Sequence, residues 1–305
     1  MYAKDFYLTN CPKYFHQTGV VRIPKNEDDA NKFIEYEKYN NTTYEKYGKD
    51  KLKSLGINTN FDSFYFPDAG DCDAPLVCNS LLKHTEIMVA KVLHIEQQGG
   101  LCKVLTKDCS LLSKNIILAT GYESNLADLR YMGIRGTWGT RGDFSSKLDL
   151  NVSMHQSMSV GANINGIIKL GATHEKMINS VVPCSQKQAL SLQDNASNLI
   201  DISDLKLKEI YCGMRAGSKD YFPLVGRVID VPYMLENYPT ITRGAKPKLK
   251  YTDNIYTLNG LGGRGFVFAP LMAKILSEHI LNAKEIDKIV NPDRLFLKWC
   301  RKLIK

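Results

Sequence analysis

The sequence lacks several features that would place it in a common class. Its eight cysteines include no C-x-x-C pair, which excludes a zinc ribbon and a thioredoxin-like motif. Its six histidines show no metal-ligand spacing, so we expect no metal site. No run of about 18 apolar residues occurs, and the first residues are too polar for a signal peptide. We therefore expect a cytoplasmic protein with reduced, buried thiols.

The composition is that of an ordinary globular chain. Of 305 residues, 44% are hydrophobic and 24% are charged, and the length suits one large domain or two closely joined ones. Lys and Arg number 40 against 32 Asp and Glu, a net charge of +8. This excess favours an anionic substrate or a polyanion such as nucleic acid, although a solvated basic surface has the same composition.

The first third of the chain alternates short strands and helices. The pattern predicts a strand at 19–23, a helix from Asn26 to about residue 39 and a lysine-rich helix over 44–55. A strand, turn and helix unit starts at Phe61. Strands at 87–95, 101–106 and 115–120 follow in quick succession, which indicates a sheet in this region.

The third of these strands differs from the other two. Ile116-Ile-Leu-Ala-Thr120 is apolar without alternation, which is typical of a strand buried on both faces. Gly121 ends it, where a backbone can approach a ligand. From Arg135 to Thr173 the pattern is antiparallel, with a hairpin turning at 162–166, and it predicts a mostly β second domain.

Gly260, Gly262 and Gly265 spell G-x-G-x-x-G between a predicted strand and a predicted helix. This context suits a dinucleotide fingerprint, but no second strand with an acidic tip follows about 20 residues later. Two other interpretations stay open. The loop N–H groups and the positive helix end face an anionic part of a cofactor, or the segment is a plain tight turn.

A second glycine-rich segment runs from Gly213 to Gly226 and holds Arg215 just after a predicted strand. A guanidinium there can bind a carboxylate or phosphate through a bidentate fork, which a lysine cannot match. A surface ion pair between Arg215 and Asp220 explains the residue equally well.

The basic, turn-rich composition of the segment from Pro239 to Lys250 predicts an exposed basic loop.

Three of these stretches together resemble the D-amino-acid-oxidase type of FAD-dependent oxidoreductase. They are Leu118-Ala-Thr-Gly121, the segment from Arg215 to Gly226, and Gly260-Leu-Gly-Gly-Arg-Gly-Phe-Val-Phe-Ala-Pro-Leu271. The ending Asn291-Pro-Asp-Arg-Leu-Phe-Leu-Lys298 resembles, more narrowly, the C-terminal oxidase half of the MnmC family, bacterial enzymes that modify the wobble uridine of tRNA.

The resemblance implies an α/β plus α+β fold. A partial FAD-binding domain of the glutathione-reductase and D-amino-acid-oxidase type joins a substrate domain built on an antiparallel sheet. Segments 1–60 and 134–220 are assigned to the substrate domain, and segments 61–133 and 221–305 to the FAD-binding domain.

The resemblance also implies a reaction and a site. FAD is the cofactor and tRNA the partner, and the carboxymethyl group is removed oxidatively from 5-carboxymethylaminomethyl-(2-thio)uridine at the wobble position. Arg215 and Arg264 are the implied catalytic residues. The implied cofactor contacts are Ala119, Thr120, Gly121, Gly262, Gly263, Arg264, Gly265 and Phe266. The basic loop and a basic tail (Lys298, Arg301, Lys302, Lys305) are candidates for tRNA phosphates. The alternatives are a small-molecule amine or amino-acid oxidase, and a truncated, non-catalytic RNA-binding fragment.

In the family, the FAD-binding domain opens with a strand, a G-x-G-x-x-G loop, a helix and an acid-tipped strand. The sequence does not include this unit ahead of Met1, nor the family's methyltransferase half. We therefore expect a fragment that binds FAD poorly by itself. We also expect the strand at Ile116 to have an exposed edge, where the missing unit would pack.

Overall fold

The computed structural model describes residues 2–123, 125–176 and 180–303. The chain divides into two compact units, which are described separately. The first unit comprises Met1–His84 and Trp138–Gly213, and the second comprises Thr85–Thr137 and Met214–Lys305.

The helices and strands follow one another in mixed order. The first 84 residues contain α1 (Tyr2–Asn10), β1 (Phe15–His16), β2 (Val20–Arg22), α2 (Glu27–Glu37), β3 (Glu45–Tyr47), α3 (Lys49–Ser54), β4 (Ser63–Phe66), β5 (Asp71–Cys72) and α4 (Ala74–Leu81). The middle of the chain contains β6 (Val92–Gln98), β7 (Leu101–Thr106), β8 (Ser110–Ser113), β9 (Ile116–Leu118), β10 (Arg135–Ser145), β11 (Ser153–His155), β12 (Ser159–Val160), β13 (Ile167–Gly171), α5 (Gln186–Ala196) and β14 (Lys206–Gly217). The remainder contains β15 (Leu224–Ile229), α6 (Val231–Asn237), β16 (Tyr251–Asn259), α7 (Gly265–Asn282) and α8 (Asp293–Cys300).

The first unit is built on an eight-stranded sheet in the order β14-β10-β13-β12-β11-β2-β4-β3. Strand β10 with β13, β12 with β13 and with β11, and β4 with β2 and with β3 are antiparallel pairs, whereas β11 and β2 are parallel. The antiparallel pattern predicted for 135–173 is therefore confirmed. One face of the sheet is apolar, because Val21, Met154 and Leu170 are buried in the same core as Leu52 of α3 and Leu192 of α5. The helices thus cover this face of the sheet.

Two expectations for the first unit differ from the structure. Residues 44–55 do not form one helix, because Lys46 of β3 pairs with Phe64 of β4 and α3 begins only after Gly48. Residues 61–84, predicted to belong to the FAD-binding segment 61–133, lie in the first unit instead. The reason is that β4 pairs with β2 inside the eight-stranded sheet.

The second unit contains a three-stranded sheet in the order β15-β16-β9 and a β6-β7-β8 meander, whose third strand was not predicted. Strand β16 pairs with β9 in parallel. The expectation that β9 is buried on both faces is wrong, since Ile117 is 50% exposed. Within the described residues β9 pairs with β16 alone, so the exposed edge expected at Ile116 is observed.

The expectation of reduced thiols throughout is also wrong. Cys184, just before α5, forms a disulfide with Cys212 of β14, with the two Cα atoms 5.5 Å apart. The two residues are 28 positions apart, and their pairing depends on the tertiary fold, which the spacing of cysteines does not reveal.

None of the described helices combines the length and the apolar composition that spanning a membrane requires. Among the residues described, no group of three or more His, Cys, Asp or Glu is placed to hold a metal ion.

Candidate active site

The carboxyl ends of two parallel strands, β9 and β16, are tied together by side chains. The hydroxyl of Thr257 donates to the carbonyl of Leu118 at 3.1 Å, and Nδ2 of Asn259 donates to the carbonyl of Gly121 at 2.8 Å. Gly121 has a φ of +66°, and a Cβ added there would meet nothing within 4 Å. The backbone at Gly121 is therefore open on this side.

The glycine loop starts directly after Asn259. The side-chain oxygen of Asn259 accepts a 2.8 Å hydrogen bond from the N–H of Gly260. Gly260 and Gly262 both have positive φ values, +72° and +57°. A Cβ on Gly260 would lie 2.9 Å from Cδ1 of Leu224, so the turn requires glycine there on two grounds. A short 3-10 turn, Gly262–Arg264, then leads into α7 at Gly265.

Arg215 lies beside this loop. Gly217 and Leu261 form an antiparallel bridge, and the N–H of Ser218 donates to the carbonyl of Gly260 at 3.2 Å. A Cβ at Gly263 would lie 3.9 Å from both Cδ and Nη1 of Arg215. Burial lowers the pKa of the Arg215 guanidinium. Arginine nevertheless remains protonated in proteins, so the loop has a partly desolvated cation next to it.

The other predicted cation is held differently. Arg264 donates from Nη2 to the carbonyl of Tyr221 and lies over the ring of Phe268, 4.8 Å from its centroid. Phe266, one residue into α7, is partly exposed. Arg264 is therefore held by contacts with two residues of the second unit, Tyr221 and Phe268.

The alternative pairing of Arg215 with Asp220 is wrong. Asp220 accepts a bidentate pair of hydrogen bonds from Arg294 of α8, at 2.8 Å from Nε and 2.9 Å from Nη2. These bonds lower the pKa of the Asp220 carboxyl. The ending of the chain thus fixes the loop that follows Arg215.

Sequence reasoning missed two residues of this arrangement. Asn259 had a local signal, because a polar residue at the carboxyl end of a strand, next to a glycine loop, is a candidate for ordering that loop. Arg294 lies in the ending that carried the narrower resemblance, but its contact had no local signal, since it is 74 residues from Asp220.

A cluster of basic residues lies elsewhere in the second unit. Lys219 packs over Gly133, because a Cβ added to Gly133 would lie 3.2 Å from the Cβ of Lys219. The pKa of Lys219 is lowered, first by a contact with Lys302 and then by the charges of Arg135 and Lys298. Four cations are therefore close together. Lys305 of the predicted tail lies outside the described residues.

The predicted basic loop is only partly exposed. Residues Pro239–Arg243 form a 3-10 turn rather than an irregular loop, and Ile241 is buried. An apolar side chain that packs into the core of the second unit explains the difference. The residues after Gly244, up to β16, do run without helix or strand.

The site fits a flat ligand with anionic groups. Oγ1 of Thr120 is buried and has no hydrogen-bond partner in the part of the chain that is described. Gly121, Gly262 and Gly263 offer backbone without side chains, and α7 presents its N-terminus next to them. A cavity of about 600 Å³ in the second unit lies at the opposite end of β16, around Tyr251, and its lining includes none of the predicted site residues.

Comparison with known proteins gives three results. The family model DAO, FAD dependent oxidoreductase, matches residues 5–279. The tRNA 5-methylaminomethyl-2-thiouridine biosynthesis bifunctional protein MnmC of Pseudoalteromonas atlantica is 28% identical over 64% of this chain and 30% of its own length. The protein of the same name from Methylobacillus flagellatus is 23% identical over 80% of this chain and 40% of its own length. The chain thus spans less than half of these relatives.

Solved structures show the same fold. Glycine oxidase from Bacillus cereus superposes with a TM-score of 0.75 at 14% identity, covering 93% of this chain and 80% of that one. Iminodiacetate oxidase from Chelativorans sp. gives 0.75 at 15% identity, covering 95% and 82%. The fold class expected from the sequence is confirmed, and the glycine loop, the orphan Thr120 hydroxyl and the open backbone at Gly121 fit FAD. The chain belongs to the DAO family of FAD-dependent oxidoreductases.

Proposed function

We propose that this chain carries out FAD-dependent oxidation of a CH–NH group, and that its substrate is 5-carboxymethylaminomethyl-(2-thio)uridine at the wobble position of tRNA. The observation that carries the proposal is the position of Arg215, a partly buried cation beside the glycine loop that Asn259 joins to Gly121. The tRNA substrate is supported by the two relatives whose names refer to 5-methylaminomethyl-2-thiouridine biosynthesis. We place the activity in the cytoplasm, where tRNA would be the partner.

The reaction needs one oxidation and one hydrolysis. The chemistry supplied by bound FAD is acceptance of a hydride from the carbon between the amine and the carboxylate. Loss of that hydride turns the amine C–N bond of the substrate into C=N. Water then adds to this carbon and the C–N bond breaks, which releases the aminomethyl base and glyoxylate.

In this reaction Arg215 binds the substrate carboxylate. Its guanidinium offers two parallel N–H donors, which fix the orientation of the carboxymethyl arm as well as its charge. The neighbouring glycines, Gly262, Gly263 and Gly265, let the cofactor ring approach the backbone, and the N-terminus of α7 favours negative charge on it. Arg264 and Phe266 border the same loop.

On the strand side, the cofactor would contact Ala119, Thr120 and Gly121 at the end of β9. The buried Thr120 hydroxyl gains a partner there, which offsets the cost of its burial. The tRNA backbone would meet the cluster of Lys219, Lys298, Lys302 and Arg135, since its phosphates neutralise the mutual repulsion of these cations.

The test is a product assay with the FAD-loaded chain. Undermodified tRNA is the substrate, glyoxylate is measured, and the base is identified by mass spectrometry. We expect Arg215→Gln to lower kcat/KM by about 100-fold, because a charge-assisted bidentate contact is lost. Arg215→Lys should recover only part of the activity.

Arg130→Gln is the matched control, because Arg130 pairs with Asp128 on the surface of the same unit. Equal activity of Arg215→Gln and the wild type would refute the assignment of Arg215. Turnover of glycine or iminodiacetate without any turnover of tRNA would replace the proposed substrate by a small amine, in line with the oxidases that share the fold.

A further inference from the structure

A cavity of about 310 Å³ lies in the first unit and is lined mainly by aromatic side chains. Its floor is the face of the eight-stranded sheet opposite the apolar core, and its wall is α2. Phe33 of α2 is buried and stacks on Phe64 of β4, with the ring centroids 5.4 Å apart. Tyr36, Tyr39 and Phe66 complete the aromatic lining. Tyr36 is 57% exposed, so a ring face is open to a ligand.

The pairing of the strands places further polar side chains on the same face of the sheet. Phe64 pairs with Arg22, Arg22 with His155, and His155 with Ser159, across β4, β2, β11 and β12. Paired residues point to the same face of a sheet, so these side chains form one row. Val21, the neighbour of Arg22, is fully buried in the apolar core on the other face.

Arg22 is the cation of this cavity. Burial lowers the pKa of its guanidinium, while the charge of Asp29 on α2 acts in the opposite direction. Asp29 is not in ion-pair contact with it, and no other hydrogen bond or ion pair of the guanidinium occurs among the residues described. A partly buried guanidinium without a close anion is costly, and a bound anion would offset that cost.

The surroundings of Arg22 reinforce the preference for an anion. The pKa of His155 is lowered to about 4, first by burial and then by the charges of Arg22, Lys25 and His174. His155 is therefore neutral at pH 7, and its Nδ1 is engaged with the hydroxyl of Ser159 at 2.8 Å. The row of Phe64, Arg22, His155 and Ser159 thus presents positive charge from Arg22 and contains no anionic side chain.

We propose that this cavity binds one nucleotide, with the base against the aromatic side chains and the phosphate on Arg22. Stacking on aromatic rings with a neighbouring arginine for the phosphate is a general way to hold a nucleotide. The volume is at the lower end of the range of about 300–1,000 Å³ found for small-ligand pockets, which suits a single nucleotide.

Asn40, at the rim, adds a polar contact for the base. Its Oδ1 accepts from the backbone N–H and the hydroxyl of Thr42, at 3.1 and 2.7 Å. The Nδ2 group is thereby directed away from Thr42 and can donate to a carbonyl oxygen, such as those of uracil.

The nucleotide comes either from solution or from an unpaired position of an RNA strand, and the second source rests on the proposed tRNA substrate.

The test measures binding to the full chain by calorimetry. The probes are uridine monophosphate, uridine, inorganic phosphate and a single-stranded hexauridylate. We expect uridine monophosphate to bind more tightly than uridine or phosphate. Arg22→Gln should weaken its binding by about 10- to 100-fold, and Tyr36→Leu by about 5- to 100-fold.

Tyr233→Leu is the matched control, because Tyr233 is a partly exposed tyrosine of the second unit. Because Tyr36 is largely exposed, Tyr36→Leu keeps the test valid even where Arg22→Gln lowers the yield of folded protein. Equal binding of the mononucleotide and the hexauridylate assigns the free nucleotide, and binding of the hexauridylate alone assigns an RNA strand.

The proposal is overturned if neither uridine monophosphate nor the hexauridylate binds. It is also overturned if Arg22→Gln and Tyr36→Leu both bind these probes as tightly as the wild type does. Its failure is distinguishable from failure of the proposed oxidase, because binding is measured without turnover. A chain that binds uridine monophosphate but releases no glyoxylate from tRNA upholds the pocket alone. A chain that releases glyoxylate but binds neither nucleotide probe upholds the oxidase alone.

Discussion

Asn259 donates to the carbonyl of Gly121 and accepts from the N–H of Gly260, each at 2.8 Å. A single side chain therefore ties the end of β9 to the first residue of the glycine loop. Asn259 is only 5% exposed, so both bonds are shielded from water. The positions of Gly121 and of the loop are coupled through this amide.

The first prediction concerns a substitution that removes this coupling. Asn259→Leu keeps the number of side-chain heavy atoms but leaves the partly buried carbonyl of Gly121 and the buried N–H of Gly260 without partners. We expect the free energy of unfolding to fall by about 2–6 kcal/mol, at about 1–3 kcal/mol for each of the two unsatisfied groups. FAD affinity should fall as well, because the position of Gly121 relative to the glycine loop is no longer fixed by Asn259.

Urea denaturation and a flavin titration measure both effects. Asn237→Leu is the control, since the amide of Asn237 donates to Tyr233 on an exposed helix. Equal losses in the two variants would contradict the role given to Asn259.

Local patterns predicted the parts of the site that depend on local geometry. The strand before Gly260, the loop and the helix after it were all readable, since glycine positions and an apolar stripe are encoded within about 25 residues. The site role of Arg215 stays a prediction, because the local sequence fitted an anion-binding arginine and a surface ion pair equally well. The contact of Arg294 with Asp220 and the Cys184–Cys212 disulfide were not readable, because each joins residues that only the tertiary fold brings together.

The exposure of β9 shows a different kind of failure. The run Ile116-Ile-Leu is apolar at every position, and such a run does not reveal how many neighbours a strand has. The lysine-rich segment 44–55 was misassigned because Lys46 pairs with Phe64, a contact that overrides helix propensity.

The second prediction compares two glycines of the loop. Gly262 has a φ of +57°, so Gly262→Ala forces alanine into the left-handed region and should lower the free energy of unfolding by about 1–2 kcal/mol. Gly265 has a helical φ of −52°, and a Cβ there meets nothing within 4 Å. Gly265→Ala should therefore leave stability unchanged or raise it by up to about 1 kcal/mol.

If the cofactor approaches Gly265 closely, Gly265→Ala weakens FAD binding without any loss of stability. The two quantities are read from urea denaturation and from flavin fluorescence on the same samples. Unchanged FAD affinity in Gly265→Ala would remove this residue from the cofactor contacts.

The third prediction concerns the basic cluster. Lys219→Ser and Lys302→Ser each remove one cation from a group whose members repel one another. If these cations contact phosphates, each substitution lowers the slope of log K against log salt by about 0.7–0.9 and weakens tRNA binding at low salt.

Binding of labelled tRNA is measured by anisotropy at several salt concentrations. Lys274→Ser is the control, because Lys274 lies on α7 and pairs with Glu278. A salt slope that stays the same in both cluster variants would contradict phosphate contact at this cluster.

The last prediction follows from the low pKa of His155, about 4 in the folded chain against about 6.5 in an unfolded one. Between these values the unfolded chain binds a proton that the folded chain does not, so the free energy of unfolding falls as the pH is lowered from about 6.5 to about 4. At pH 5 the loss attributable to His155 is about 1–2 kcal/mol. Urea denaturation at pH 7.5 and pH 5 measures it, and His155→Gln should reduce the difference by that amount. Arg22→Gln should reduce it in part, because the charge of Arg22 contributes to the low pKa, whereas an unchanged pH dependence in both variants would show that His155 titrates normally in the folded chain.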